Sequence, residues 1–292
     1  MLECEKFNYK LSWTLPILRG WGRGKIPERV ALQEKYGLSR IEIPAHTIYG
    51  EKEQGITRQE PGEILSNCSI NKLYNGNFAG QENRFDCILH TEYRDYKIHW
   101  NWEWWRKDYY DFLDYLKTRL EHFGGKVCGI EIHTGVEKDP KYKNLLIVVK
   151  DLRMRFDESK ILIENRPKQI ISDADTFKEF FDSLIGSGIN SRDVGFVVDI
   201  LQLKTRLKTK GGRQNLFEEL KKLEDLERIY PDSILGWHIH SGSTGHKPIT
   251  DEDGIQWDCW TKFFSIKRWY LPEVQFERGF KETIDYIEKR IK

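Results

Sequence analysis

The sequence predicts an α/β protein folded as a single (β/α)8 barrel, and three observations predict it. Short apolar runs alternate with segments of helical spacing, and about eight such strand–helix units fit into 292 residues, the usual size of that fold. Most of the apolar runs end abruptly on His, Asp or Glu, as Ile161-Leu162-Ile163-Glu164 does. A ring of parallel strands whose carboxyl ends converge on one site has this grammar. Finally, no linker, low-complexity tract or short-period repeat divides residues 1–292, so one domain is expected. A doubly wound open sheet is the alternative, but it gathers ligands at one crevice rather than at nearly every strand end.

Taken in order, residues 8–15 read as a first strand. Pro27-Glu28 opens a helix that runs to Tyr36 and stops at Gly37, and residues 39–44 form a second strand. Residues 45–84 are polar and rich in Gly and Asn, with a turn at Gln59-Glu60-Pro61-Gly62 and a short helix near 62–68. Residues 86–90 are the third strand. Residues 103–122 form a helix carrying Tyr109, Phe112, Leu113, Leu116 and Leu120, stopped by Gly124-Gly125. Residues 127–133 are a strand, 145–155 a helix or strand-like connector, 161–164 a strand, and 176–185 a helix with Gly186 beyond it. Then follow strand 194–199, helix 215–229, strand 234–240, helix 257–269, last strand 273–277 and closing helix 279–291.

The 47 basic and 46 acidic side chains nearly cancel, so any nucleic-acid surface must be a local patch. A charged fraction of 32% and a mean hydropathy of −0.64 describe a soluble chain. No apolar run approaches the ~20 residues of a membrane span, and Met1-Leu2-Glu3-Cys4-Glu5-Lys6 lacks the pattern of a signal peptide. Five scattered cysteines with no C-x-x-C pair read as reduced thiols. A cytoplasmic monomer with no membrane partner is the expectation.

The strand ends carry His90, His133, Glu164, Asp199, His238 and Glu277. Imidazoles mixed with carboxylates suit transition metals better than Ca²⁺ or Mg²⁺, which prefer all-oxygen shells. One catalytic zinc takes three protein ligands, so six point to two divalent metals, zinc first and manganese or iron as alternatives. Glu164, in the middle of the set, is the expected bridge between them.

These residues sit in recurring motifs: His90-Thr91-Glu92-Tyr93, Ile132-His133-Thr134-Gly135, Ile163-Glu164-Asn165, Gly195 to Asp199, Gly236-Trp237-His238 followed by His246, and Val274-Gln275-Phe276-Glu277. In order and spacing, from about residue 38 onward, they resemble the endonuclease IV-like branch of the xylose isomerase-like TIM barrels. The resemblance implies that Glu164, Asp199, His238 and Glu277 hold one metal, that His90 and His133 add a second, and that Glu164 and His246 serve catalysis. It implies a phosphodiesterase acting on double-stranded DNA with an abasic or damaged site. The chain departs from the repair enzymes at Gln202, where they carry a histidine, and at Thr244-Gly245 before His246, where they carry an aspartate. A third metal would therefore need other ligands, such as His240 or Asp251.

Other features carry two readings. His99 is the rival third-strand ligand, His46 follows the second strand, and His122 reads as a helix-end cap. The run from Trp100 to Trp105 either covers the barrel top or, with Trp102 and Tyr93 as contacts, stacks on a base or sugar. Lys204, Arg206, Lys208, Lys210 and Arg213 form a cationic stretch read as a loop, either solvated or contacting phosphate. Gly20-x-Gly22-x-Gly24-Lys25 lacks the spacing of a phosphate-binding loop. Two alternatives stand beside the nuclease: a sugar or sugar-phosphate isomerase or epimerase with one metal, and a nucleic-acid-binding barrel with a vestigial site.

Overall fold

A computed structural model describes residues 9–16, 26–44, 85–91, parts of 110–122, 124–135, 142–209, 216–241, 246–253, 257–265, 267–274 and 277–291. Eight parallel strands close into a barrel in sequence order. They are β1 (Ser12–Leu15), β2 (Arg40–Pro44), β3 (Phe85–Thr91), β4 (Gly125–His133), β5 (Lys160–Glu164), β6 (Val194–Asp199), β7 (Ile234–Ile239) and β8 (Trp269–Pro272). Closure comes from β1 pairing with β8 through Ser12 with Trp269 and Trp13 with Tyr270.

The named helices are α1 (Ile26–Tyr36), α2 (Lys143–Arg155), α3 (Ala174–Gly186), α4 (Ile200–Thr209), α5 (Leu216–Ile229), the short α6 (Trp257–Trp260) and α7 (Glu277–Glu288). Their local chemistry is conventional. Gly37 takes φ 60° after α1, where any side chain would be strained, and the Leu38 N–H closes on the Gln33 carbonyl at 2.9 Å. Leu145, Val148, Val149 and Leu152 give α2 one buried face at helical spacing. Asp173 and Thr176 form a reciprocal capping box at the start of α3. The last helix is tied back to the first strand, with Trp13 Nε1 donating to Glu288 Oε1 at 2.8 Å.

Strand parity divides the interior in two. One set of residues, including Ile161, Ile163, Phe196 and Val198, joins the helices in the main core. The other set faces inside the barrel, where Ile88, Leu162, Val197 and Trp269 pack as a separate apolar floor. Gly129 makes room for this floor: a Cβ there would lie 2.9 Å from the Trp269 indole and 3.0 Å from Leu162. Buried Arg29 ties the ends of β1 and β2 together, donating to the carbonyls of Pro16 at 2.9 Å and Glu42 at 2.7 Å.

Three expectations are corrected. The last strand is Trp269–Pro272 rather than 273–277, and Glu277 opens α7. Residues 257–269 are accordingly only a short helix and a 3-10 turn, and Trp269 belongs to the sheet. The described part of the cationic stretch, through Thr209, is not a loop but the end of α4. Asp199 Oδ1 accepts the N–H groups of Leu201 and Gln202 at 2.9 Å each, starting that helix directly at the strand end, while Leu203 and Leu207 bury one face. Residues 45–84, 92–109 and 210–215 lie outside the described residues.

Because the Trp269 ring has little room to retreat, Gly129→Ala should lower the unfolding free energy by about 1–3 kcal/mol through overpacking. Urea denaturation measures this, and an unchanged midpoint would show that the floor repacks freely.

Candidate metal centre

Strand parity builds the site. Moving up each strand from the apolar floor, the next inward residue is polar: Ile88 leads to His90, Leu162 to Glu164, and Val197 to Asp199. On β8 the series Trp269, Leu271, Glu273 carries the same parity just past Pro272. His133 on β4 lies in register with Glu164 on β5, and Asp199 on β6 with His238 on β7. His90, His133, Glu164, Asp199, His238, His240 and Glu273 are all buried.

Two halves share Glu164. In the first, His90 Nε2 faces His133 Nε2 at 3.2 Å, and His133 Nε2 lies against Glu164 Oε2. In the second, His238 Nδ1 lies 3.6 Å from Glu164 Oε1 and 3.5 Å from Glu273 Oε1, with Asp199 beside them. Arg166 reaches the first half from the mouth, its Nε 3.1 Å from Glu164 Oε1 and its terminal nitrogen 3.1 Å from His133 Nε2. At the rim, His240 Nε2 approaches Asp199 Oδ2 at 3.3 Å and Glu273 Oε2 at 3.4 Å. His246 stacks on His240 with centroids 4.6 Å apart. Asn165 holds the β6 end, accepting from Asp199 N–H at 2.8 Å and donating to its carbonyl at 3.2 Å.

The charges are strongly coupled. Burial alone would lower the His90 pKa, but Glu42, Glu131 and Glu164 outweigh it and raise it to about 10. Against the same burial, Glu131 and Glu273 raise His238 well above the usual imidazole range, and Asp199 raises His240. Burial would lift Glu164, yet Arg166 and His133 hold it well below the ordinary carboxylate range. His238, His246 and His240 do the same for Glu273.

Of the predicted ligands, His90, His133, Glu164, Asp199 and His238 come together; Glu277 begins α7, four positions past Glu273, which is the carboxylate found beside His238. The apparent alternation in Val274-Gln275-Phe276-Glu277 mimics a strand, while the true strand is four residues ended by a proline. His246 reaches the site, with Nδ1 3.5 Å from Glu273 Oε2 and a backbone φ of 43°. Asp251 does not, being exposed and engaged by Tyr286 and Arg290. Gln202 serves the cap of α4 through its backbone. Lys204 donates to the Asp253 carbonyl, and Arg206 donates to Ser172 Oγ at 3.2 Å beside Asp173, so neither is a free phosphate contact. Lys208 is carried by α4, His122 is exposed at a helix end, and Tyr93, His46, His99, Trp100 to Trp105, Lys210, Thr244 and Gly245 lie outside the described residues. Sequence reasoning misses Glu42, Glu131 and Arg166. Glu42 and Glu131 are single charges inside apolar runs, Ile41-Glu42-Ile43 and Ile130-Glu131-Ile132, and that interruption is the signal that marks them.

The donor set fits a metal. Both carboxylate oxygens of Glu164, Glu273 Oε2 and His238 Nδ1 are buried without a hydrogen bond of proper geometry, although they converge. His90, His133 and Glu164 offer three donor atoms within 4.8 Å of one another, and so do Asp199, His238 and Glu273. Two nitrogens each ~2.0–2.1 Å from one tetrahedral ion stand ~3.3 Å apart, matching the 3.2 Å between His90 and His133.

The geometry makes two outcomes measurable. Glu273→Gln should lose bound transition metal by elemental analysis while Glu277→Gln keeps it; the reverse would place the β8 ligand at the sequence-predicted position after all. Metal binding also competes with protons. His90 bears a raised pKa, so its contribution to metal-free stability is complete below about 6.5 and is lost as pH rises toward about 10. Chelated protein should therefore lose stability across that window, by at most about 1.4 kcal/mol per pH unit for this group. Zinc titrations at pH 8 should release protons, read by calorimetry in buffers of different ionisation enthalpy.

No family model and no curated protein matches the sequence. Solved structures do match the fold. A D-tagatose 3-epimerase-like protein superposes with a TM-score of 0.58 at 14% identity, covering 96% of this chain and 97% of its own. The IolI protein with a bound zinc atom gives 0.53 at 15% identity, covering 96% and 95%. The 3-keto-D-glucoside 4-epimerase YcjR from E. coli gives 0.54 at 10% identity, covering 96% and 99%. With eight parallel strands closed in sequence order, the chain has the xylose isomerase-like TIM-barrel fold.

Proposed function

We propose that the barrel is a metal-dependent isomerase or epimerase acting on a small polyhydroxylated carbonyl compound, a sugar or sugar phosphate. The observation that carries this reading is the set Glu164, Asp199, His238 and Glu273 at the ends of four consecutive strands, with the carboxylates of Glu164 and Glu273 on either side of His238 Nδ1. A divalent ion held there supplies Lewis-acid polarisation of a carbonyl and its neighbouring hydroxyl. Glu164 and Glu273 approach that point from different strands. One accepts the proton from the carbon next to the carbonyl and releases it to solvent; the other passes a solvent proton to the opposite face, so the product differs from the substrate only in configuration. Arg166, partly exposed at the mouth, adds a fixed cation for developing oxyanion charge or a substrate phosphate. The epimerases among the structures of like fold support the same chemistry by analogy.

A second reading keeps a specific observation behind it. His90, His133 and Glu164 form a second convergent donor set, which a one-metal isomerase does not require and a two-metal phosphodiesterase of the endonuclease IV type does. Against it, Lys204 and Arg206 face internal partners rather than a DNA backbone.

Solvent-deuterium incorporation into a panel of ketoses and ketose phosphates, followed by proton NMR, tests the first reading. Zinc- or manganese-loaded protein should exchange the hydrogen next to the carbonyl, and Glu273→Gln should lower the rate at least ~10²-fold, ~2.7 kcal/mol of barrier. His133→Ala should keep one metal and most of the exchange. Absence of exchange, with nicking of an abasic duplex that His133→Ala abolishes, would replace this reading with the second.

A further inference from the structure

Two buried carboxylates stand one layer below the ligands and are used by neither reading. Glu42 on β2 and Glu131 on β4 are each 1% exposed. Both line a small cavity beneath the donor ring, together with Thr14 and His238. Each lies closest to one imidazole, although Glu131 Oε1 is also 3.9 Å from His90 Nδ1. His90 Nδ1–H donates to Glu42 Oε1 at 2.7 Å, leaving Nε2 toward His133 and Glu164. His238 Nε2 lies 3.1 Å from Glu131 Oε1, leaving Nδ1 toward Glu164 and Glu273.

We infer that Glu42 and Glu131 are positioning residues, one for each half of the site, which fix the ring orientation and tautomer of His90 and His238 so that the first offers Nε2 and the second Nδ1 to a metal. This rests on the reading of the barrel mouth as a metal centre and, for Glu42, on the set His90, His133 and Glu164 also holding an ion. The physical reason is that a neutral imidazole donates through one nitrogen and ligates through the other. A carboxylate on the far nitrogen therefore selects the ligating atom and raises its basicity. Arg29 anchors this arrangement from behind, since it grips the Glu42 carbonyl while the Glu42 side chain holds His90. The opposite assignment of nitrogens on the two rings follows from the strands. Glu42 approaches His90 from its neighbour β2, whereas Glu131 crosses the interior from β4 to reach His238 on β7. Loss of such a partner ordinarily lowers metal affinity by ~10- to 100-fold.

The test has two arms on the full chain. In the first, zinc affinity is measured by chelator competition for Glu42→Gln, Glu131→Gln, His90→Ala, His238→Ala and the two paired variants, with circular dichroism as the check on folding. Each single carboxamide should weaken zinc binding ~10- to 100-fold. Glu42→Gln should add nothing in the His90→Ala background, nor Glu131→Gln in the His238→Ala background. Additive losses would overturn the inference while leaving the metal centre standing, whereas wild-type protein that binds no zinc would overturn both. The second arm needs no variant. Long-range proton–nitrogen spectra of ¹⁵N-histidine protein loaded with zinc should show His90 metallated at Nε2 and His238 at Nδ1. Metallation of His238 at Nε2, or of His90 at Nδ1, would make the carboxylates co-ligands rather than positioning groups and overturn the inference.

Discussion

Five carboxylates (Glu42, Glu131, Glu164, Asp199 and Glu273) lie buried in one end of one barrel, and the rest of the structure answers to that constraint. An ionised carboxylate removed from water without a partner is too costly for a domain of ordinary stability. Here the partners are the imidazoles of His90, His133, His238 and His240 and the guanidinium of Arg166. The carboxylates raise the pKa values of His90, His238 and His240 despite burial, so protons on these three imidazoles supply positive charge in the metal-free state. A divalent ion does the same work with better geometry, so metal uptake and proton release are two forms of one compensation.

The apolar layer beneath explains how the charges are held apart from the main core. Ile88, Leu162, Val197 and Trp269 plug the barrel, and the Trp269 indole fits only because Gly129 faces it. Above that plug β3 to β7 each carry one or two polar residues before they end. Asp199 shows how tightly the two requirements are joined. Its Oδ1 caps α4 while its Oδ2 faces His240, so the residue that starts a helix also points at the site. A change at such a position alters fold and chemistry together.

Much of this is legible in the amino-acid sequence alone, and the parts that are not have physical explanations. Five strand ends read correctly because each is an apolar run broken by a single polar residue, a pattern that burial forces. The eighth misleads because β8 is short and ended by Pro272, which has no N–H to extend the ladder, so the stretch ending at Glu277 offers the more convincing alternation. The cation-rich stretch after β6 reads as a loop because its charges are conspicuous, yet Leu203 and Leu207 have the spacing of a buried helical face. Glu42 and Glu131 escape notice because they sit in mid-strand, where a lone charge reads as a solvent-facing residue of a half-buried sheet. Inside a closed barrel there is no such face, and a mid-strand charge must find a partner within.

The two chemical readings share every ligand from β5 to β8 and part company only over the half built by β3 and β4. There the decisive feature is the direction of the rings. His90 and His133 present like nitrogens to each other at 3.2 Å, an arrangement stable without an ion only if one of them carries a proton across the gap. Glu42 behind His90 secures that proton in the metal-free protein, and the same contact leaves Nε2 correctly placed once the proton departs. Arg166 competes for the same ligands from outside, its guanidinium lying against both Glu164 and His133. A second ion and the Arg166 cation cannot both hold that place at full strength, because two positive charges would share one bridging carboxylate.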